Sequence, residues 1–519
     1  MTASFGWLDW GAVGLYFAAI AVAGALLNRH VTTDARDYFL AGGAVPAWLS
    51  AISVLATTQS AATFLGGPDY GYRGDFTYLS TCLGALLAVI LVAHVFIPRF
   101  YAERVTTVYE LLGRRFGAGA TRAAGAMFLL GRILAGGARL YLAAIAVSMM
   151  IFADVTPGGV AVASLALIVA AFLFTFHAGL RAIVWLDLIQ FITYVGAALA
   201  IGGLLLWRLH APIATIVQHL AAAPGGHDKL RLFDLSLNPA DPFALPAVLT
   251  GVFLLYVGNY ALDQDTTQRL LACKDARAGA RGLYLSIAAT VPVVWLFIAI
   301  GSLLYLFYNG GVGQAAPAAK FHGENITVLM HFILTELPPG LRGVMTVGVI
   351  ATAVGTTMSA LNAMASVLVE DFYRPWRARR DKPPEAHFVL AGRIGMGLMG
   401  LATLGMAIVS YYWQHSTGAA LLEFVLSVMN FAYAGLLGVY FTAVFTDRGS
   451  ALSVYAALLV GFLAIVALQP VVATAIGLPH VLRGLSFPWQ LCIGTAAAFV
   501  TCVAGSPGRV GRTAAAAEL

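Results

Sequence analysis

The sequence predicts an all-helical polytopic membrane protein in which two sets of five transmembrane helices lie in opposite orientations. Three observations carry that expectation. The 519 residues are 60% hydrophobic and only 10% charged, which is more apolar surface than a water-soluble fold can hide. The apolar runs fall near 9–28, 45–66, 75–98, 118–152, 158–178, 181–206, 246–271, 281–308, 340–370, 387–412, 419–445, 449–468 and 485–504. These make about thirteen transmembrane helices, each long enough for a hydrocarbon core of about 30 Å. Lastly, the runs that open the two sets are both interrupted by polar residues at membrane depth.

Residues 9–28 are too long for a signal-peptide core and lack a basic segment before them, so they read as a retained helix. Residues 1–44 thus form an extra helix and loop, 45–206 the first repeat, and 207–245 an outer loop. Residues 246–445 form the second repeat, and 446–519 two further helices and a short tail. An odd number of spans per set inverts the second set relative to the first, a layout common among secondary transporters.

Lysine and arginine set the orientation. Arg29, Arg36, Arg99, Arg104, Arg114, Arg115, Arg122, Arg181, Lys274, Arg277, Arg281, Arg374, Arg377, Arg379, Arg380, Lys382, Arg448, Arg509 and Arg512 cluster in alternate loops and the tail. Far fewer, such as Arg208, Lys229 and Arg231, occupy the others. The N-terminus is therefore expected outside and the C-terminus in the cytoplasm of a cell (inner) membrane. Loops 207–245 and 309–339 fall outside, and Ile326 to Leu337 reads as a surface helix stopped by Pro338 and Pro339. The net charge of +6 follows from this bias and points to the lipid bilayer, with no nucleic acid as partner. Cys82, Cys273, Cys492 and Cys502 are scattered and suggest neither a disulfide framework nor a zinc site. The expected state is a monomer or weak oligomer.

The first interrupted run is Leu49 to Tyr72, LSAISVLATTQSAATFLGGPDYGY, with Thr57, Thr58, Gln59, Ser60 and Thr63 before Gly66, Gly67 and Pro68. Polar groups at this depth face a cavity or a partner, and a broken helix frees carbonyls for a cation. The second is Tyr256 to Arg269, with Gly258, Asn259, Asp263, Gln264, Asp265 and Gln268. Arg132 and Arg139 lie seven residues apart in the fourth span, almost two turns, so both point to one side. An arginine inside a span is a functional hypothesis by default, and its planar fork suits a carboxylate. The alternative is a structural pairing with Asp187, Asp263, Asp265 or free carbonyls, with at most one of the two arginines touching solute.

Five stretches, in order, resemble the sodium/solute symporter family, which includes bacterial sodium/galactose, sodium/proline and sialic acid transporters. They are Asp37 to Gly43, Ser60 to Gly66, Val108 to Phe116, Asp263 to Asp275, and Leu361 to Tyr373. The resemblance runs from about residue 30 to about 450 and implies the leucine-transporter-type five-plus-five inverted repeat. It implies a sodium ion held by backbone oxygens of Ala56 and Gln59, a carbonyl at Thr352, and hydroxyls at positions 355 and 356. Here position 355 is Gly355 where the family has serine, leaving Thr356, with Thr357 or a water as replacement. The same threonines could instead bond back to their own helix. The resemblance also places Asp187 on the sodium exit path or at a second sodium site, where this chain has Met358 beside Ser359; the plainer reading pairs Asp187 with Arg181. It aligns Arg132 or Arg139 with a carboxylate-binding arginine of sialic acid symporters.

Against the sugar-symporter pattern, Thr63, Cys82, Tyr256 and Thr290 replace glutamine, glutamate, asparagine and lysine, and Asn259 stands at the tyrosine that closes over the sugar. A polyol needs several directional partners, so the expected solute is an organic acid or amino acid held by its carboxylate. Its contacts are expected from Ser60, Thr63, Cys82, Arg132, Arg139, Asn259 and Asp263. No HExxH, no facing aspartate pair and no Gly-x-Ser-x-Gly elbow points to an enzyme. Sodium-coupled symport by alternating access is thus the leading reading. Proton coupling through Asp187 or Asp265, and a transporter-like sensor, stand as rivals.

Overall fold

The computed structural model describes residues 5–27, 34–177, 179–223, 228–309, 320–321, 324–380, 383–417 and 421–505. Arg29, Lys382, Arg509 and Arg512, which entered the orientation argument, lie outside them. Among the described residues the chain is helical apart from one short antiparallel pair, Lys320–Phe321 with Glu324–Asn325.

The elements needed below are α1 (Trp7–Leu27), α2 (Ala47–Thr58), α3 (Ala61–Arg73), α4 (Thr77–Ala102), α5 (Ala118–Phe152), α6 (Pro157–His177) and α7 (Leu180–Leu209). They continue with α8 (Leu245–Leu262), α9 (Gln264–Leu271), α10 (Ala276–Asn309), α11 (Leu341–Val367), α12 (Glu385–Thr417), α13 (Leu421–Phe445), α14 (Ala451–Ala467) and α15 (Phe487–Val503). Among the described residues ten helices are long and apolar enough to cross a bilayer by themselves. The expected count of about thirteen is not reached by that criterion. The α2–α3 span is divided by its break, and α14 and α15 are 17 residues each.

The first repeat wraps its broken helix against the second. α2 packs on α7, α9 and α10, α3 packs on α10, and α7 lies along α11. Contact between α3 and α10 is backbone to backbone at two points: a Cβ on Gly71 would overlap the Ile298 carbonyl, and one on Gly301 the Pro68 carbonyl. Gly301→Ala should therefore cost about 1–3 kcal/mol through overpacking, measured as a lower unfolding temperature in detergent. An unchanged temperature would mean the helices part freely.

Two local expectations are corrected. Gly66, Gly67 and Pro68 do not end the first broken span; α3 continues through Pro68 to Arg73, and the interruption lies earlier, at Gln59 and Ser60. The segment expected on the surface is helical over Val328–Glu336, capped by Thr327, but Leu329, Met330, Phe332 and Ile333 are buried. Only His331, Thr335 and Glu336 remain half-buried or exposed, and Val328 N–H donates to Asp69 at 3.2 Å to seat the helix against α3.

Asp9, an acid in an apolar span, is fully buried because it accepts from the Gly340 and Gly343 N–H groups at 2.7 and 2.8 Å. Those are donors at the start of α11, where helical N–H groups lack internal acceptors and favour an anion.

Candidate functional site

Both broken spans open in the same way. α2 ends at Thr58, Gln59 and Ser60 are extended, and Ser60 caps α3 by accepting from Ala62 N–H at 3.2 Å. In the second repeat a wide turn at Gly258–Leu262 leads to extended Asp263, whose carboxylate caps α9 by accepting from Asp265 N–H at 3.1 Å. The last carbonyls of a helix ended like this have no intrahelical partner. Those of α2 include Ala56, and Gln59 follows in the break itself.

Between the breaks lies a cavity of about 50 Å³. The first break contributes Thr58, Gln59, Ser60 and Thr63 to its wall, and α8 contributes Tyr256, Asn259 and Tyr260. α10 adds Thr290, and α13 adds Leu422, Leu426 and Met429. Tyr78, Phe243 and Phe487 complete an aromatic side that the sequence did not disclose, because Phe243 comes from the end of a long loop and Phe487 from beyond the repeats. Cys82 does not line this cavity; it stands behind the tyrosines, close to Tyr256 and Tyr260.

The two arginines of α5 have different surroundings. Arg139 reaches the cavity wall, its Nη2 against the Met429 sulfur at 3.3 Å and its Nε buried without an acceptor. No carboxylate pairs with it among the described residues. Arg132 is instead bound on both sides, to Asp263 at 3.1 Å and, closer still, to Asp265. Asp263 also accepts from Tyr433 Oη at 2.7 Å. Arg132 and Asp263 therefore border a separate small recess and are not on the wall of the central cavity.

The pairing continues through Arg269, whose importance sequence reading missed. Its guanidinium bonds Asp265 at 2.9 Å, Asp187 at 3.3 Å, Ser53 Oγ at 2.7 Å and Ser359 Oγ. Ser53 in turn donates to Asp187 at 2.5 Å. The partner of Asp187 is thus Arg269, not Arg181, because α9 lies between α2 and α11 and brings its last turn to the start of α7. The chain Asp187–Arg269–Asp265–Arg132–Asp263 joins five buried charges from three helices.

Several of the five quoted stretches meet at this end of α9. Gln264 accepts from Val108 N–H at 3.0 Å and donates to the Thr106 carbonyl at 2.9 Å. Gln268 donates to the Phe39 carbonyl at 2.5 Å, and Thr107 to Asp371 at 2.7 Å.

α11, which packs on both α2 and α3, carries Thr352, Thr356 and Thr357, all buried. The Thr352 and Thr356 hydroxyls donate to the Val349 and Thr352 carbonyls, each at 2.8 Å. Back-bonding of this kind uses the proton and leaves oxygen lone pairs open to a cation. At Gly355 a Cβ would overlap Gln190 Oε1. Glycine within a helix costs about 0.5–1 kcal/mol relative to alanine, and here it makes room for the buried Gln190 amide, which also meets the Met358 sulfur and the Tyr16 side chain.

Residues 38–461 match the sodium:solute symporter family. The chain belongs to that family. Over 466 residues the symporter is 25% identical to the sodium/sialic acid symporter of Proteus mirabilis (strain HI4320), covering 89% of this chain and 90% of that one. It is 25% identical to human sodium-coupled monocarboxylate transporter 1, covering 87% and 70%, and 24% identical to the human sodium/iodide cotransporter, covering 85% and 66%. A solved Na⁺-coupled sialic acid symporter, substrate-bound and outward-open, shares its fold with a TM-score of 0.79 at 23% identity, covering 96% of this chain and 98% of that one. The protein is thus an integral membrane symporter, not an enzyme, with the leucine-transporter-type fold.

Proposed function

We propose that the symporter couples inward sodium movement to uptake of a small carboxylate-bearing solute, an organic acid or an amino acid. The observation that carries this is Arg139: a guanidinium on the wall of the central cavity that forms no ion pair with a carboxylate among the described residues. A half-buried cation that is not paired directly carries a desolvation cost, and a solute carboxylate placed in the cavity would relieve it. Some relatives point the same way by name, since sialic acid and the monocarboxylates are organic acids.

Sodium is bound by the carbonyls of Ala56 and Gln59 and the oxygens of Thr352 and Thr356, so it joins α2 to α11 and steadies the break. Ser60, Thr63 and Asn259 then present a fixed surface to the solute, and the binding energy biases rocking of one helix bundle against the other. The N-terminus lies outside, and the cluster around α9 closes the cytoplasmic side. Asp187 and Asp265, the acids a proton-coupled mechanism would use, are both occupied by Arg269, which favours sodium as the coupling ion.

Uptake of radiolabelled organic acids into proteoliposomes should require an inward sodium gradient and persist with pH equal on both sides. Uptake driven by a pH gradient and indifferent to sodium would overturn the proposal.

A further inference from the structure

Two of the aromatic residues on the wall of the central cavity come from outside the two expected repeats. Phe243 stands near the end of the long loop and Phe487 opens α15, and both are buried. Their rings meet edge to face with centroids 6.2 Å apart, and Phe243 meets Tyr70 and Tyr78 in the same manner at 5.3 and 5.0 Å. Three consecutive residues at the start of α15 are each fixed to a different element. Ser486 donates from its N–H and its Oγ to the Pro239 carbonyl, both at 2.9 Å, and so holds the loop that carries Phe243. The Phe487 carbonyl accepts from Asn430 Nδ2 of α13 at 2.7 Å. The Pro488 carbonyl lies so close to Gly251 of α8 that a Cβ there would overlap it. A helix needed only to fill space against lipid would require none of these bonds. Together they fix where the Phe487 ring stands on the cavity wall.

Arg139 is the one charged side chain among the described residues lining this cavity. Its volume of about 50 Å³ is well below that of an apolar cavity that takes up benzene, about 150 Å³, so a solute that fills it is short. From this we infer that Phe243 and Phe487 set the length of the solute, closing the cavity around the apolar end of a carboxylic acid of a few carbons whose charged end is held at Arg139. The inference rests on the carboxylate reading of Arg139 and adds to it the class of acid and the residues that choose it. α15 then takes part in recognition, supplying one ring and holding the other through Pro239.

The test measures binding without transport. Acetate, propionate, butyrate and hexanoate are titrated into purified protein at constant total sodium, with chloride making up the balance, and the unfolding temperature gives each half-saturating concentration. In the parent, hexanoate should require at least about ten times the concentration of propionate, since one methylene in an apolar pocket changes selectivity about 10- to 200-fold. Phe487→Ala and Phe243→Ala should each lower that hexanoate-to-propionate ratio about tenfold. Phe487→Leu should lower it about threefold, and covers the case in which the alanine variants do not fold. A general loss of stability lowers the unfolding temperature with every acid alike and leaves the ratio where it was. If the parent binds the acids and Arg139→Ala weakens all of them, but the ratio is unchanged in the phenylalanine variants, these rings do not set solute length and the carboxylate reading stands without them. A parent that binds hexanoate as readily as propionate would overturn the inference as well. If the parent responds to none of the acids, the carboxylate reading falls and the inference with it.

Discussion

Arg139→Ala is expected to raise the solute concentration for half-maximal uptake about 10- to 100-fold, since hydrogen bonds to charged groups contribute about 1.5–3 kcal/mol and each 1.4 kcal/mol is tenfold. Sodium affinity measured without solute should stay near that of the parent, because Arg139 lies on the cavity wall and not at the α2–α11 contact. Arg139→Lys should fall between the two, keeping the charge while losing the paired donors of the guanidinium fork. Initial rates of uptake across a solute series give the measurement. An unaltered solute requirement in Arg139→Ala would remove the carboxylate from the proposed mechanism. Neutral analogues of a transported acid, such as its amide, should lose in the parent what the acid loses in the variant.

Arg269→Ala should affect the fold before it affects transport. Its removal leaves Asp187 and Asp265 buried with reduced compensation, and breaking one side of a buried ion pair costs about 3–5 kcal/mol. Against a total stability of about 5–15 kcal/mol, the expected result is a sharp loss of monodisperse protein on size exclusion. Arg269→Gln combined with Asp187→Asn removes charge from both partners and should recover part of that loss. Normal yield and unfolding temperature in Arg269→Ala would show that the charge chain does not hold α9 in place. Arg132→Ala should behave similarly, since Asp263 and Asp265 depend on it. This separates the two arginines of α5: one governs solute affinity and the other folding.

The breaks were legible in the sequence because polar residues in an apolar run have few places to go. Thr57 to Ser60 marked the first and Asn259 to Asp265 the second, and the structure interrupts both spans within those stretches. Where the first break ended was less legible. Gly66, Gly67 and Pro68 look like a terminus, yet two of them are small because Leu422 and Phe297 press against them, a tertiary cause no local pattern reveals. The arginines were recognisable as a pair, but which faced the cavity depended on the two acids of α9, more than a hundred residues away. Arg269 passed as one letter of a motif, because its partners come from α2, α7, α9 and α11. The aromatic wall carried no signal at all, since Phe243 and Phe487 lie outside any regular pattern around the breaks.

The bare contact between α3 and α10 bears on how such a molecule can move. Helices separated by side chains can slip by exchanging rotamers, but where Gly71 meets the Ile298 carbonyl and Gly301 the Pro68 carbonyl there is no such layer. At those points α3 and α10 are expected to move together. On its other side α3 meets α13 through a side chain, Gly66 against Leu422, and that seam can open and close by turning one leucine. The two seams of α3 thus differ in kind: bare backbone in part toward α10, and a single leucine toward α13.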